Sequence, residues 1–215
     1  MSLLYLIRHG ETAANAVGEG LGRRDVPLSP FGREQAHCLA ERFASVPIDA
    51  VLSSPLRRAL EVSRPIAERH GLAVDIRPEL TEMDVGATDG LTSAEIRERF
   101  PEFIAAWTGE NPAPVRMPGG ESLQDLAARV LPLAEELLHG PDRVIVLVSH
   151  NFTLRVLLCL LLALPLESFR TFRLDLASVT TVSIQHGRTV IQALNDVCHL
   201  EDALNLGGPA RSVAT

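Results

Sequence analysis

An arginine and a histidine, Arg8 and His9, directly follow the apolar run Leu3–Ile7 near the start of the chain. Such a short apolar run predicts a strand that is buried on both faces. In open α/β sheets, ligands bind at the carboxyl ends of the strands. A guanidinium beside an imidazole suits an anionic ligand, and the imidazole could also act as nucleophile or base.

The same arrangement of a buried strand, a polar tip and a helix returns twice along the chain. The predicted strand at 48–53 leads into a helix at about 55–70, with Ser54 as its expected N-cap and Arg58 in its first turn. The strand at 144–148 is followed by Ser149-His150-Asn151, which lead into a predicted helix at 152–164. Because the carboxyl ends of parallel strands meet at one edge, we expect these side chains to lie together.

Two arginines and two histidines at one edge would form a pocket for a phosphate dianion. A neutral imidazole near pH 7 is nucleophilic, so these residues indicate phosphoryl transfer to a histidine. The leaving alkoxide needs a proton, and a turn at 79–86 offers three carboxylates as candidate donors: Glu79, Glu82 and Asp84.

Two absences from the sequence narrow the chemistry. All 20 basic residues other than histidine are arginine, which excludes Schiff-base lysines and the phosphate-binding lysines of P-loop proteins and kinases. The seven histidines show no metal-binding helical spacing such as H-E-x-x-H. We therefore expect no metal and no cofactor.

Strands that alternate with helices predict an α/β fold in which a mostly parallel central sheet has helices on both faces. Ser29 and Pro30 predict the start of a helix that runs to about residue 44, after a loop at 11–28. A third strand is expected at 73–76, a helix after the N-cap Ser122, and a closing hairpin from strands at 178–185 and 189–194.

Residues 91–118 are predicted to form a small helical lid insertion, with one helix near 92–105. Its aromatic residues could line a substrate pocket or anchor a small separate core; they are Phe100, Phe103 and Trp107. We expect a single domain over residues 1–206 and a disordered tail at 207–215.

With 46% hydrophobic residues and a mean hydropathy of +0.14, the 215-residue chain can bury one substantial core. The net charge of -7 argues against nucleic acid or an acidic membrane surface as a partner. Three widely spaced cysteines form no disulfide framework, which favours the cytoplasm. No apolar run is long enough to span a bilayer. The oligomeric state stays open, and a homodimer is one option.

The segment Leu6-Ile7-Arg8-His9-Gly10-Glu11-Thr12, with Asn15, resembles the signature of the histidine phosphatase superfamily, the phosphoglycerate mutase-like proteins. The similarity continues in chain order to residue 200. Its further segments are Asp25–Gly32, Ser53–Ala59, Glu82 with Gly86, Gly119–Ser122, Val148–His150, Leu194–Asp196 and His199–Leu200. The resemblance implies a three-layer α/β fold and a phosphohistidine mechanism.

By this resemblance His9 would carry the phosphoryl group, and Glu82 would donate a proton and later accept one from water. The phosphate would be bound by Arg8, Arg58 and His150, with Asn15 as a further contact. Thr12 and Gly22 match weaker positions that line the substrate side.

The sequence departs from the family pattern at two places. Asn151-Phe152 stands where many members have Gly-Gly, and Val85 lies where the mutases carry a tyrosine. Mutases of the family also supply a lysine and an adjacent arginine pair from a longer insertion. We expect a phosphomonoesterase acting on a small phosphorylated metabolite. A phosphoglycerate mutase and a non-catalytic phosphate-binding protein stay as alternatives, and the sequence does not name the substrate.

Overall fold

A computed structural model of the protein describes residues 1–201. Within this range, six strands form one mixed sheet in the order β3-β2-β4-β1-β5-β6. The strands are β1 (Ser2–Arg8), β2 (Ala50–Ser53), β3 (Val74–Ile76), β4 (Val144–Ser149), β5 (Val179–Gln185) and β6 (Arg188–Asp196). The first four in this order are parallel to one another, and β5 and β6 form the expected antiparallel hairpin.

Helices cover both faces of the sheet and complete three layers. The helices are α1 (Ala13–Ala16), α2 (Pro30–Phe43), α3 (Arg57–Arg69), α4 (Ser93–Arg99), α5 (Pro101–Trp107), α6 (Leu123–His139) and α7 (Asn151–Leu161). Alternate residues of β1 point to opposite faces: Leu4 and Leu6 pack in the core beneath α6 and α7, whereas Ile7 packs in the core beneath α2 and α3. The predicted fold class is therefore confirmed.

The register of the sheet brings the polar strand ends together. Arg8 at the end of β1 pairs with Ser149 at the end of β4, and Ser53 of β2 pairs with Val148 of β4. Consequently His9 and His150, each one residue beyond its strand, lie side by side with their ring centroids 5.1 Å apart.

Three local predictions about the elements were wrong. The loop expected at 11–28 contains α1, because Thr12 and Asn15 form a capping box that starts a helix there. Ser54 is not the N-cap of α3; Leu56 holds that position without a side-chain cap. The helix expected at 152–164 ends at Leu161.

The insertion also differs from the single helix that was predicted. Two short helices, α4 and α5, meet at Phe100, because the residue before Pro101 is disfavoured in the helical conformation. Within residues 1–201, no helix is long and apolar enough to cross a membrane. Residues 202–206 of the predicted domain and the tail predicted at 207–215 lie outside the described residues.

Candidate active site

A small cavity of about 140 Å³ lies at the carboxyl ends of β1 and β4. It opens beside a larger cavity of about 1000 Å³, and both are lined by Arg8, Asn15 and Asn151. The side chains of His9 and Glu82 line only the small one. The small cavity therefore holds the predicted nucleophile and proton donor, and the large one leads away from them.

The imidazole of His9 is held in one orientation by its own chain. Its Nδ1 lies 2.7 Å from the carbonyl oxygen of Gly10. Since a carbonyl only accepts, Nδ1 carries the hydrogen and Nε2 keeps its lone pair. Burial, followed by the positive charges of Arg58 and Arg8, lowers the pKa of His9 well below its usual 6.5. His9 is thus a neutral imidazole whose Nε2 is available as a nucleophile.

Arg8 presents an incompletely paired guanidinium to both cavities. Its Nη1 donates to the carbonyl oxygen of Leu174 at 2.7 Å, whereas its buried Nε has no partner among residues 1–201. Burial lowers its pKa to about 10, which still leaves it cationic at neutral pH. A buried donor without a partner is costly, so this Nε favours an anionic ligand.

Glu82 sits against the N-terminus of α7, at 3% exposure. Its Oε1 accepts hydrogen bonds from the backbone N–H of Met83 at 2.8 Å, and from the N–H and hydroxyl of Thr153 at 3.1 Å each. Its Oε2 accepts from the N–H of Phe152 at 3.2 Å. Oε2 is therefore the oxygen less committed to the protein and better placed to exchange a proton.

The turn that carries Glu82 is fixed from behind by a charged pair. Arg129 donates to the carbonyl oxygens of Glu79 and Thr81 at 2.8 and 2.9 Å. Glu121 binds Arg129 at 3.0 Å and accepts from the N–H of Asp84 at 2.9 Å. Neither competing carboxylate, Glu79 or Asp84, lines the small cavity, so the arrangement favours Glu82 as the proton donor.

Arg58 and His150 are both fully buried, and neither lines the two cavities. Arg58 donates from Nη1 to Arg24 O and from Nη2 to Gly22 O, both at 2.7 Å. His150 accepts from Arg58 through Nδ1 and contacts the hydroxyl of Ser54 at 2.7 Å through Nε2. In this structure the cationic Arg58 and the ring of His150 lie behind His9, and neither opens directly to the cavity.

The remaining predicted residues differ in whether they line a cavity. Asn15 lines the cavity while its side chain also accepts from the Thr12 hydroxyl at 2.9 Å. Thr12 is fully buried and does not line either cavity, and Gly22 contributes its carbonyl oxygen to Arg58. Residues 1–201 contain no group of three or more His, Cys, Asp or Glu side chains that could hold a metal ion.

The large cavity has an aromatic wall, formed by Phe103, Trp107, Phe152 and Phe169. The ring of Trp107 lies 6.0 Å from Phe152 and 5.7 Å from Phe169, edge to face in both cases. Two of the three insertion aromatics therefore line the cavity, whereas Phe100 does not. These rings also pack against the main core around α6 and α7 and form no small separate core among the described residues, so their placement agrees with the pocket interpretation.

The sequence reasoning missed Arg155, which lines the large cavity from the middle of α7. The available signal was a single arginine within the apolar helix Asn151–Leu161, one turn after the unusual Asn151.

Comparison with known proteins identifies the family of the chain. The family model of the histidine phosphatase superfamily (branch 1) matches residues 4–197. The chain belongs to this superfamily. It is 36% identical to phosphoserine phosphatase 1 of Hydrogenobacter thermophilus, over 93% of this chain and 95% of the relative. It is 32% identical to a protein of Enterobacter named probable phosphoglycerate mutase, over 94% and 96% of the two chains.

A solved structure shows the same superfamily fold. The mycobacterial glucosyl-3-phosphoglycerate phosphatase in complex with VO3 superposes with a TM-score of 0.82 at 33% identity. The match covers 92% of this chain and 100% of that chain. Relatives thus include named phosphatases and a named mutase.

Proposed function

We propose that the protein hydrolyses phosphate monoesters of small metabolites through a phosphohistidine formed on His9. The observation that carries this proposal is the placement of His9 in the small cavity, where Gly10 fixes its Nδ1–H and leaves Nε2 free. The Nε of Arg8 beside it has no partner in the described part of the chain and supplies a donor for a phosphoryl oxygen. The nucleophile and the hydrogen-bond donor for the phosphate thus lie in the same cavity of about 140 Å³.

In the first half-reaction, Nε2 of His9 attacks phosphorus and the bond from phosphorus to the ester oxygen breaks. Arg8 and Asn15 bind the phosphoryl oxygens, and the charge of the buried Arg58 behind them stabilises the negative charge that they carry. Glu82 gives its proton to the departing alkoxide, which leaves as the free alcohol.

In the second half-reaction, the carboxylate of Glu82 takes a proton from a water molecule. The resulting hydroxide attacks the phosphohistidine, inorganic phosphate leaves, and Nε2 regains its lone pair. The arginines supply positive charge throughout, so the proposed mechanism needs no metal and no cofactor. Activity should therefore survive EDTA.

The names of the relatives support small phosphorylated metabolites as the substrate class. They include phosphatases of phosphoserine and of glucosyl-3-phosphoglycerate, which are small phosphorylated metabolites. We place the enzyme in the cytoplasm, because Cys159 and Cys198 are free thiols. The net charge of -7 argues against nucleic acid as a partner. The domain limits 1–206, the lid insertion 91–118 and the homodimer stay predictions.

The phosphoenzyme provides the direct test. Rapid acid-free quenching during turnover of a substrate with a labelled phosphoryl group should leave an acid-labile, alkali-stable label on the wild-type protein. His9→Ala should carry no label, whereas the matched control His37→Ala changes an exposed histidine of α2 and should label normally. Equal labelling of His9→Ala and the wild type would contradict the proposed nucleophile.

A further inference from the structure

Arg155 is a cation of the large cavity that has no partner in the described structure. Within residues 1–201 it forms no hydrogen bond or ion pair, and its Nε is buried without an acceptor. Burial lowers its pKa, while the carboxylates of Glu82 and Asp175 oppose that shift. Arg155 as a whole is partly buried, and its buried Nε lacks the acceptor that a buried donor normally has.

The two neighbouring carboxylates are already engaged elsewhere. Glu82 accepts from the first turn of α7, through Phe152 and Thr153. Asp175 accepts from Arg173 Nε at 3.0 Å and from Asn195 Nδ2 at 3.0 Å. Neither carboxylate therefore serves as the ion-pair partner of Arg155, although both partly balance its charge.

The position of Arg155 relates it directly to the phosphate site. Asn151 lines both cavities, and Arg155 follows it by four residues on the same face of α7. Four residues correspond to a rise of about 6 Å along a helix. Asn151 Oδ1 is itself buried and has no partner among residues 1–201. Along α7, the Asn151 acceptor therefore lies nearer the phosphate site and the Arg155 cation lies one turn further away.

These groups specify the chemistry of the substrate beyond its phosphate. The planar guanidinium matches a carboxylate in a bidentate manner. A monoanion suits this place better than a second phosphate dianion, because Glu82 and Asp175 already offset part of the positive charge. The Asn151 acceptor would receive a hydroxyl or ammonium hydrogen between the two anionic groups.

We propose that Arg155 binds a carboxylate of the substrate and so determines specificity for phosphorylated hydroxy or amino acids. This inference rests on the proposed phosphatase activity. Arg170 and Arg173 also line this cavity, but Arg170 donates to the carbonyl oxygen of Trp107 and Arg173 to Asp175. The rival cation is therefore Arg97 of α4, which lines the cavity from the insertion.

Two substrate pairs isolate the carboxylate. O-Phosphoserine differs from O-phosphoethanolamine by its carboxylate alone, and 3-phosphoglycerate differs from glycerol 3-phosphate at the same place. The wild type should prefer the acid of each pair in kcat/KM by at least about tenfold, the usual effect of a charged hydrogen-bonded contact. Arg155→Gln should reduce that ratio by about 10- to 100-fold, and Arg155→Lys, which keeps the charge, by less.

Arg97→Gln is the matched control and should keep the wild-type ratio. The ratio is the readout because a general loss of packing would lower kcat/KM equally for both substrates of a pair. A wild type that hydrolyses p-nitrophenyl phosphate but treats the members of each pair equally would overturn the carboxylate site alone. So would a preference that survives in Arg155→Gln, or one that is lost in Arg97→Gln. A folded wild type that hydrolyses none of these compounds would contradict the phosphatase and this site together.

Discussion

The Nε of Arg58 donates a hydrogen bond to Nδ1 of His150 across 3.2 Å. Since a guanidinium only donates, Nδ1 must be unprotonated, so the hydrogen of the neutral ring lies on Nε2 and points to the Ser54 hydroxyl. His150 is thereby held in one neutral tautomer. Its pKa is lowered well below 6.5, first by burial and then by the charge of Arg58.

Because the folded-state pKa values of His9 and His150 are both depressed, the free energy of unfolding should fall as the pH drops below about 6.5. In that range the unfolded chain takes up protons that the folded chain does not bind. Urea unfolding at pH 7.5, 6.5 and 5.5 measures the effect. His9→Asn removes one such group and should make the dependence shallower, by up to about 1.4 kcal/mol per pH unit. An unchanged slope in this variant would show that His9 is not held neutral.

The proton-donor role of Glu82 predicts a dependence on the leaving group. Glu82→Gln should slow hydrolysis of alkyl phosphates by about 10²–10⁴-fold, because a poor leaving group needs the proton. p-Nitrophenyl phosphate, with a good leaving group, should be affected much less. Asp84→Asn is the control, since Asp84 lies in the same turn but outside the small cavity. Equal losses on both substrates with Glu82→Gln would move the role to a neighbouring group.

The polar ends of the strands could be predicted from the sequence because their signals are local. Apolar runs that stop at Arg8-His9 and at His150 indicate buried strands, and parallel strands share one edge. The place of Glu82 relative to its rivals could not be predicted in this way. It depends on how a turn 70 residues away meets the N-terminus of α7, which is a long-range packing relationship.

The contacts of Arg58 likewise could not all be predicted from the sequence. Its place in the first turn of α3 was predicted, but its saturation by the carbonyl oxygens of Gly22 and Arg24 was not. Backbone carbonyls carry no sequence signature, since every residue has one. The capping role of Thr12 was a local signal that was overlooked, because Thr12 and Asn15 stand three residues apart before α1.

The turn that carries Glu82 ends at Gly86, which packs tightly against the backbone of residues 118–120. Gly86 has φ +54°, and a Cβ there would lie 2.2 Å from the carbonyl oxygen of Pro118. Gly71 has φ +64° with open space around it. Gly71→Ala should cost roughly 1–2 kcal/mol from the left-handed backbone alone. Gly86→Ala should cost roughly 1–3 kcal/mol more from overlap and should also lower kcat. Equal losses of urea stability in both variants would contradict this close contact.

The fate of the phosphoenzyme separates a phosphatase from a mutase, which share all steps up to the phosphohistidine. A mutase must shield this intermediate from water and hold a bisphosphorylated species while it reorients, which requires additional cations. The described insertion offers little for that purpose. Arg99 pairs with Glu95 at 3.7 Å and Arg116 with Asp125 at 2.9 Å, which leaves Arg97 as the insertion's cation in the cavity.

The insertion otherwise lines the cavity mostly with apolar side chains, namely Ile96, Phe103, Ile104, Trp107 and Met117, and Val85 also lines it. Water should therefore take the phosphoryl group from His9. With 3-phosphoglycerate and a trace of 2,3-bisphosphoglycerate, any turnover should release inorganic phosphate, which a coupled phosphate assay measures. Vanadate, which resembles five-coordinate phosphorus, should inhibit the same reaction. Accumulation of 2-phosphoglycerate without phosphate release would overturn the phosphatase in favour of the mutase.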